Sequence, residues 1–301
     1  MKEIFLYLGN YYRELNKTVF VLSTVLIAIL VTLNYSVGID SSIKSFESPA
    51  IRLLAFFLLY AFVFTACYGI HFFFTGLNIP YQSRFFLLLL LCPLLFAAKT
   101  SLNLSHFFSD DILANPWTKF LQIVLNWPLK CAIVMMVIYG IWTREDYEKP
   151  VAGLNRHFNW KPYLLLLLCS LPLLAISSSM NDFQNAYPKA KNIAFIYPLT
   201  QHDFFYTLIY ELAYGTDFLT IEAFFRGFVV LAFVRYAGKD AILPMAAFYC
   251  TIHFGKPLFE CITSYIGGIM LGVIVYNTRS IWGGLIVHFG MAWLMELLYA
   301  T

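Results

Sequence analysis

The chain has 301 residues, of which 60% are hydrophobic, 19% aromatic and only 12% charged. An ordinary soluble domain is about 45–50% apolar and about 25% charged, so this composition indicates an integral membrane protein. The formal charge of +3 is small, and we therefore expect no nucleic-acid partner.

The first half of the chain reads as an interfacial helix followed by spanning helices. Apolar residues recur at helical spacing between charged ones over residues 2–17, a pattern typical of a helix lying on the membrane surface. An apolar run from 18 to 37 follows and is interpreted as a retained first spanning helix, because no small-residue cleavage site follows it. Three more runs are long enough, or nearly so, to cross about 30 Å of hydrocarbon at about 1.5 Å per residue. They are residues 51–74, 85–98 and 120–142.

The second half begins after a charged loop at 144–161 and a further apolar run at 162–176. A polar segment at 178–203 divides the N-terminal transmembrane helices, 18–177, from a C-terminal helical core, 204–301. The core opens with one long helix over 204–236, or two joined near Gly215, and continues with runs at 241–254, 259–276 and 281–300. The expected fold is all-α and polytopic, with eight or nine spanning helices. Lys and Arg counts favour a cytoplasmic N-terminus.

Four polar residues inside the core predict a shared site. Glu222 and Arg226 are four residues apart, which places them on one helix face. A charge at the bilayer centre costs about 2.5–3.5 kcal/mol, and the two offset part of this by pairing. His253 closes one apolar run and His288 lies inside the last. Ionisable residues in spanning helices usually face a bundle interior or a wet cavity, so these four are the first candidates.

Three glutamates are second candidates. Glu211 precedes Glu222 by about three helical turns, and a continuous helix would place both on one face. Glu260 lies near a helix start, where the dipole favours a carboxylate. Glu296 follows His288 by eight residues on the same face. The six cysteines are scattered through apolar runs and indicate neither a disulfide framework nor a zinc site.

Three motifs resemble a known family. They are Ile221-Glu-Ala-Phe-Phe-Arg-Gly227, Tyr249-Cys-Thr-Ile-His253 and Arg279-Ser-Ile-Trp-Gly-Gly-Leu-Ile-Val-His288. Their order and intervals are similar to those of the CAAX protease and bacteriocin-processing family, the bacterial relatives of type II CAAX prenyl endopeptidases. The resemblance covers roughly 210–298. It implies an intramembrane endopeptidase of the bacterial cytoplasmic membrane, surrounded by lipid, that cleaves a membrane-associated peptide or protein.

The resemblance also implies roles for individual residues. In the family a first glutamate activates water, an arginine holds the carboxylates, two histidines orient water and substrate, and an asparagine stabilises the oxyanion. Glu222, Arg226, His253 and His288 match this pattern. Ile221 stands where the first glutamate is expected and Ala292 where the asparagine is expected, and Tyr249 replaces a phenylalanine.

These departures leave alternatives. In the first, Glu222 is the base of a protease that needs no cofactor, since Ile221 cannot take a proton. In a metal variant, Glu222, His253 and His288 would bind zinc. In the third, a non-catalytic member acts as a membrane scaffold or an immunity-type protein that binds a partner. A transporter has little support, because the two halves show no inverted repeat.

Overall fold

The computed structural model describes residues 2–145, 147, 150–155 and 158–298. Most of them are helical, and the β pairing within this part of the chain is one isolated bridge between Leu154 and Ser280. The N-terminal helices are α1 (Lys2–Glu14), α2 (Lys17–Val37), α3 (Ile39–Lys44), α4 (Pro49–Thr75), α5 (Ser83–Ser101), α6 (Asp110–Leu113) and α7 (Pro116–Arg144). The all-α fold is confirmed.

The C-terminal part continues with α8 (Lys161–Ser178), α9 (Asn181–Ala186), α10 (Asp203–Ile221), a π-helix (Glu222–Val230), α11 (Leu231–Ala237), α12 (Ile242–Thr251), α13 (Leu258–Thr278) and α14 (Trp282–Leu298). Short 3₁₀ segments lie between them at Leu104–Phe107, Val151–Gly153, Lys189–Leu199 and Gly238–Ala241. The segment 178–203, expected to be a polar loop, therefore folds largely into α9 and the 3₁₀ segment Lys189–Leu199.

Within the residues that the structure describes, six helices are long and apolar enough to cross a membrane, where eight or nine were expected, and α14 is a shorter apolar helix. The six are α2, α4, α5, α7, α8 and α13. Local sequence sets their ends: the Asn16 side chain accepts hydrogen bonds from the backbone N–H groups of Thr18 and Val19 at the start of α2. Gly38, at a φ of +74°, ends that helix in the left-handed conformation that glycine adopts readily. The protein is therefore an integral membrane protein by the length and hydropathy of its helices.

The π-helix and α12, which carry Glu222, Arg226 and Tyr249, are fully buried. By contrast, α4 exposes large apolar side chains such as Leu54, Leu58 and Phe62, as a lipid-facing helix does. An aromatic cluster packs these helices together, with Phe225 ring centroids 4.9 Å from Phe96 and 5.0 Å from Phe248.

The π-helix is also held from the side. The 3₁₀ segment Val151–Gly153 crosses it at Gly227, where a Cβ atom would collide with the Ala152 carbonyl group. Glycine at this position therefore permits the close approach. The same π-helix carries Glu222 and Arg226, so this close contact adjoins Arg226.

Candidate active site

Glu222 and Arg226 lie on a π-helix rather than on a regular α-helix. The helix α10 runs unbroken through Gly215, changes to π geometry at Glu222 and continues into α11, so of the two expectations for 204–236 the single long helix is the one observed. A π segment has i→i+5 hydrogen bonds and is frequent at functional sites. The Nη1 atom of Arg226 lies 3.3 Å from Oε1 of Glu222, which forms the ion pair predicted from their spacing.

Glu222 holds His288 through one hydrogen bond. Its Oε1 atom lies 3.0 Å from Nδ1 of His288, and the carboxylate is 0% exposed. A carboxylate only accepts hydrogen bonds, so Nδ1 of His288 carries the proton and donates. The Nε2 atom of His288 is thereby left with its lone pair in the neutral ring. The pair forms a carboxylate–imidazole unit of the kind that orients a general base.

The second carboxylate oxygen fits against a glycine. Oε2 of Glu222 has no hydrogen-bond partner among the described residues. A Cβ atom at Gly284 would lie only 2.6 Å from it. Gly284, on α14, therefore leaves the space that this oxygen occupies, and a larger residue would displace the carboxylate from His288.

Tyr249 connects the other three residues of the site. The Arg226 guanidinium lies 3.8 Å above the Tyr249 ring, a cation–π contact. The Tyr249 hydroxyl lies 3.4 Å from Nε2 of His288, at the long end of hydrogen-bond distance. Its backbone carbonyl accepts a hydrogen bond of 2.9 Å from Nδ1 of His253. The sequence had indicated Tyr249 only as a mild replacement for phenylalanine. Its hydroxyl, in an otherwise apolar run, was the signal that could have identified it.

His253 presents its second nitrogen in the same way as His288. Because Nδ1 donates to the Tyr249 carbonyl, Nε2 carries the lone pair in the neutral ring. The ring lies 4.6 Å from the Tyr249 ring, edge to face. Two imidazoles are therefore each fixed through Nδ1 and carry the acceptor lone pair on Nε2, which in His288 lies 3.4 Å from the Tyr249 hydroxyl.

A cavity of about 530 Å³ joins these groups. Arg226, Tyr249, His253 and His288 all line it, whereas Glu222 does not and lies behind His288. The two positions that depart from the family pattern, Ile221 and Ala292, line the same cavity. They present apolar surface where a carboxylate and a carboxamide were expected, so this site relies on the remaining polar groups.

The three glutamates that were second candidates lie in different parts of the structure. Glu260 lines the cavity, where its Oε2 accepts a hydrogen bond of 3.0 Å from the Tyr187 hydroxyl. Glu296 instead accepts from the backbone N–H groups of Lys189 (2.8 Å) and Ala190 (3.2 Å), so it caps the 3₁₀ segment Lys189–Leu199. Glu211 is absent from the cavity lining among the described residues. The structure thus brings Glu260 to the site and leaves Glu211 and Glu296 outside it.

The donor set does not converge as a metal site would. Within the described ranges no three His, Cys, Asp or Glu side chains are placed to hold one ion. Oε1 of Glu222 and Nδ1 of His288 are bonded to each other rather than directed at a common point. Zinc binding by Glu222, His253 and His288 stays a prediction from the sequence.

Comparison with known proteins gives one family for the C-terminal region. Residues 201–294 match the family described as type II CAAX prenyl endopeptidase Rce1-like. The resemblance predicted from the three motifs is confirmed for this region. The region contains the cavity-lining residues Arg226, Tyr249, His253, Glu260 and His288. Neither the curated proteins nor the solved structures give a match.

Proposed function

We propose that this membrane protein is an intramembrane endopeptidase that cleaves a membrane-associated peptide or protein by direct attack of water. The observation that carries the proposal is the Glu222–His288 pair, in which the carboxylate holds Nδ1 of an imidazole that lines the cavity. The similarity of residues 201–294 to type II CAAX prenyl endopeptidases supports the same class of reaction.

In the proposed reaction His288 is the general base. Nε2 takes a proton from water as the water oxygen bonds to the scissile carbonyl carbon, which gives a tetrahedral oxyanion. His288 then returns the proton to the leaving nitrogen as the C–N bond breaks, and a carboxylic acid and an amine result. General acid–base transfer of this kind contributes about 10²–10⁴ to the rate.

Glu222 acts through His288 in this scheme. The carboxylate is fully buried, so it holds the imidazole in the required tautomer and stabilises the imidazolium that forms. This role differs from that of the direct base expected from the sequence, because water reaching the cavity meets His288 rather than Glu222. Arg226, 1% exposed, keeps the buried carboxylate paired.

Arg226 and Tyr249 are the proposed oxyanion donors. Nε of Arg226 has no hydrogen-bond acceptor among the described residues, whereas Nη1 is paired with Glu222, and both Arg226 and Tyr249 line the cavity. The Tyr249 hydroxyl is a further donor. Together they would take over the part that an asparagine at position 292 plays in the family pattern. Preorganised donors of this kind are often the largest single contribution to catalysis.

The test is a comparison of membrane peptides in cells that carry the wild-type protein or the His288→Ala variant. Mass spectrometry of the membrane fraction should find at least one protein whose cleaved form disappears and whose intact form accumulates in the variant. If both strains hold the same peptides while a binding partner is lost from the variant, the non-catalytic scaffold alternative is correct instead.

A further inference from the structure

The cavity that contains His253 and His288 has a second chemical feature, because several lysines line it. Five lysines line it in addition to Arg226: Lys44, Lys99, Lys130, Lys189 and Lys256. The carboxylates that line it within the described residues are Asp217 and Glu260. The whole chain carries a formal charge of only +3, so this concentration of cations at one cavity is far from the average of the protein.

Three of the five lysines are neutralised by carboxylates. Lys44 lies 2.6 Å from Asp40, Lys99 lies 2.6 Å from Asp217, and Lys256 lies 3.3 Å from Glu260. In each pair the carboxylate offsets the charge of the lysine. Little net attraction for an anionic ligand is left at these three lysines. The lysines that matter for binding are therefore the remaining two.

Lys130 and Lys189 form no ion pair within the described part of the chain, although the charge of Asp217 acts on Lys130 and those of Glu260 and Glu296 act on Lys189. Nζ of Lys130 lies 3.3 Å from Oδ1 of Asn103, and Nζ of Lys189 lies 4.9 Å from the centre of the Tyr187 ring. Among the described residues neither has a carboxylate oxygen within ion-pair distance. Both residues are half-buried, and a cation that loses water without an ion-pair partner is unfavourable. An anion entering the cavity would supply the missing partner.

We propose that Lys130 and Lys189, which line the same cavity, bind acidic side chains of the peptide that is cleaved, so that an acidic peptide is the preferred substrate. The proposal rests on the proposed function. A peptide is favoured over a lipid phosphate because the two lysines share one cavity with His253 and His288. A cavity of about 530 Å³ is of the size that holds a small ligand or a few residues of a peptide.

The experiment measures binding with two fluorescein-labelled probes. Both are short Ala/Leu peptides; one carries glutamates and the other carries glutamines at the same positions. The full-length protein is placed in nanodiscs of phosphatidylcholine, and fluorescence anisotropy gives the two dissociation constants. We expect the glutamate peptide to bind roughly tenfold more tightly, a difference of about 1.4 kcal/mol. Equal binding of the two peptides by the wild-type protein would overturn the proposal.

Variants locate the effect. The double variant Lys130→Gln/Lys189→Gln should lose the preference for glutamate, and Lys130→Arg/Lys189→Arg should keep it. The matched control is Lys119→Gln/Lys191→Gln, which removes two exposed lysines from the same elements and should also keep it. A preference that survives in the first double variant contradicts the proposal. If that variant is not recovered from membranes, each single glutamine variant must lower the preference.

Lipid composition separates the two sources of an anion. Nanodiscs containing phosphatidylglycerol should leave the glutamate preference in place. If phosphatidylglycerol abolishes it in the wild-type protein, the lysines bind a lipid phosphate and the peptide assignment is wrong. Binding is measured without hydrolysis, so a lack of cleavage bears on the proposed function alone. Cleavage without any glutamate preference would overturn only the inference about the lysines.

Discussion

Nδ1 of His288 lies 3.0 Å from Oε1 of Glu222, although the two residues are 66 positions apart in the chain. The contact joins the start of the π-helix to the middle of α14 and determines which nitrogen of His288 is protonated. The chemistry proposed for this site depends on that hydrogen bond, so a change at Glu222 should affect cleavage directly.

Replacing Glu222 by glutamine keeps the shape of the side chain and removes its charge. An amide oxygen still accepts from Nδ1, but it stabilises the imidazolium far less, so we expect cleavage to fall by on the order of 10³ or more in kcat. KM should change little, because Glu222 does not line the cavity. The same change at exposed Glu47 is the control. Wild-type turnover in the Glu222→Gln protein would contradict the role assigned to the pair.

Removing the Tyr249 hydroxyl tests the oxyanion assignment. In Tyr249→Phe the ring still lies under Arg226 and against Phe225, so the melting temperature in detergent should stay close to that of the wild type. Loss of one oxyanion donor typically lowers kcat by about 10²–10³. A fully active Tyr249→Phe protein would mean that Arg226 alone suffices.

Adding one methyl group at Gly284 tests the packing of the carboxylate. In Gly284→Ala the new Cβ would lie 2.6 Å from Oε2 of Glu222, and such overpacking destabilises by roughly 1–3 kcal/mol. We expect a lower melting temperature and a loss of cleavage. Gly69→Ala is the control, since nothing lies within 4 Å of its Cβ position. If Gly284→Ala retains both stability and activity, the carboxylate has more freedom than these contacts imply.

Removing only one member of the buried ion pair should be worse than removing both charges. Arg226→Gln leaves the Glu222 carboxylate buried without a cation, which costs about 3–5 kcal/mol. The double variant Glu222→Gln/Arg226→Gln should be more stable than Arg226→Gln alone, with a coupling energy of about 0.5–3 kcal/mol in a double-mutant cycle. Unfolding in detergent gives the four values, and additive effects would exclude a pair that matters for stability.

Raising the pH should weaken the preference for an acidic peptide. Burial, with the neighbouring positive charge of Lys256 as the next cause, lowers the pKa of Lys189 to about 8, while Glu260 and Glu296 oppose the shift and Lys191 adds to it. Lys189 is thus charged below pH 8 and loses its proton above it. The glutamate peptide should bind progressively less tightly between about pH 7 and 9, whereas binding of the glutamine peptide should not change. Parallel loss for both peptides would indicate a general effect on the protein.

The sequence by itself determined the class of the fold and indicated four polar residues that the structure brings together. Long apolar runs can satisfy their backbone groups in lipid only as helices, so composition and run length lead directly to an all-α membrane protein. Glu222, Arg226, His253 and His288 are recognisable because ionisable groups are rare in such runs. The motif order around them also indicated the family that residues 201–294 match.

Only the tertiary structure decided how these residues are arranged around the cavity. Sequence spacing cannot show that Glu222 lies behind His288, because that order depends on the packing of α14 against the π-helix. Sequence spacing also cannot show that Tyr249 contacts Arg226. Nor can it show that Lys130 and Lys189, which are 59 positions apart in the chain, line the same cavity. Contacts across distant segments are set by helix packing, and the local pattern of apolar and polar residues does not specify them.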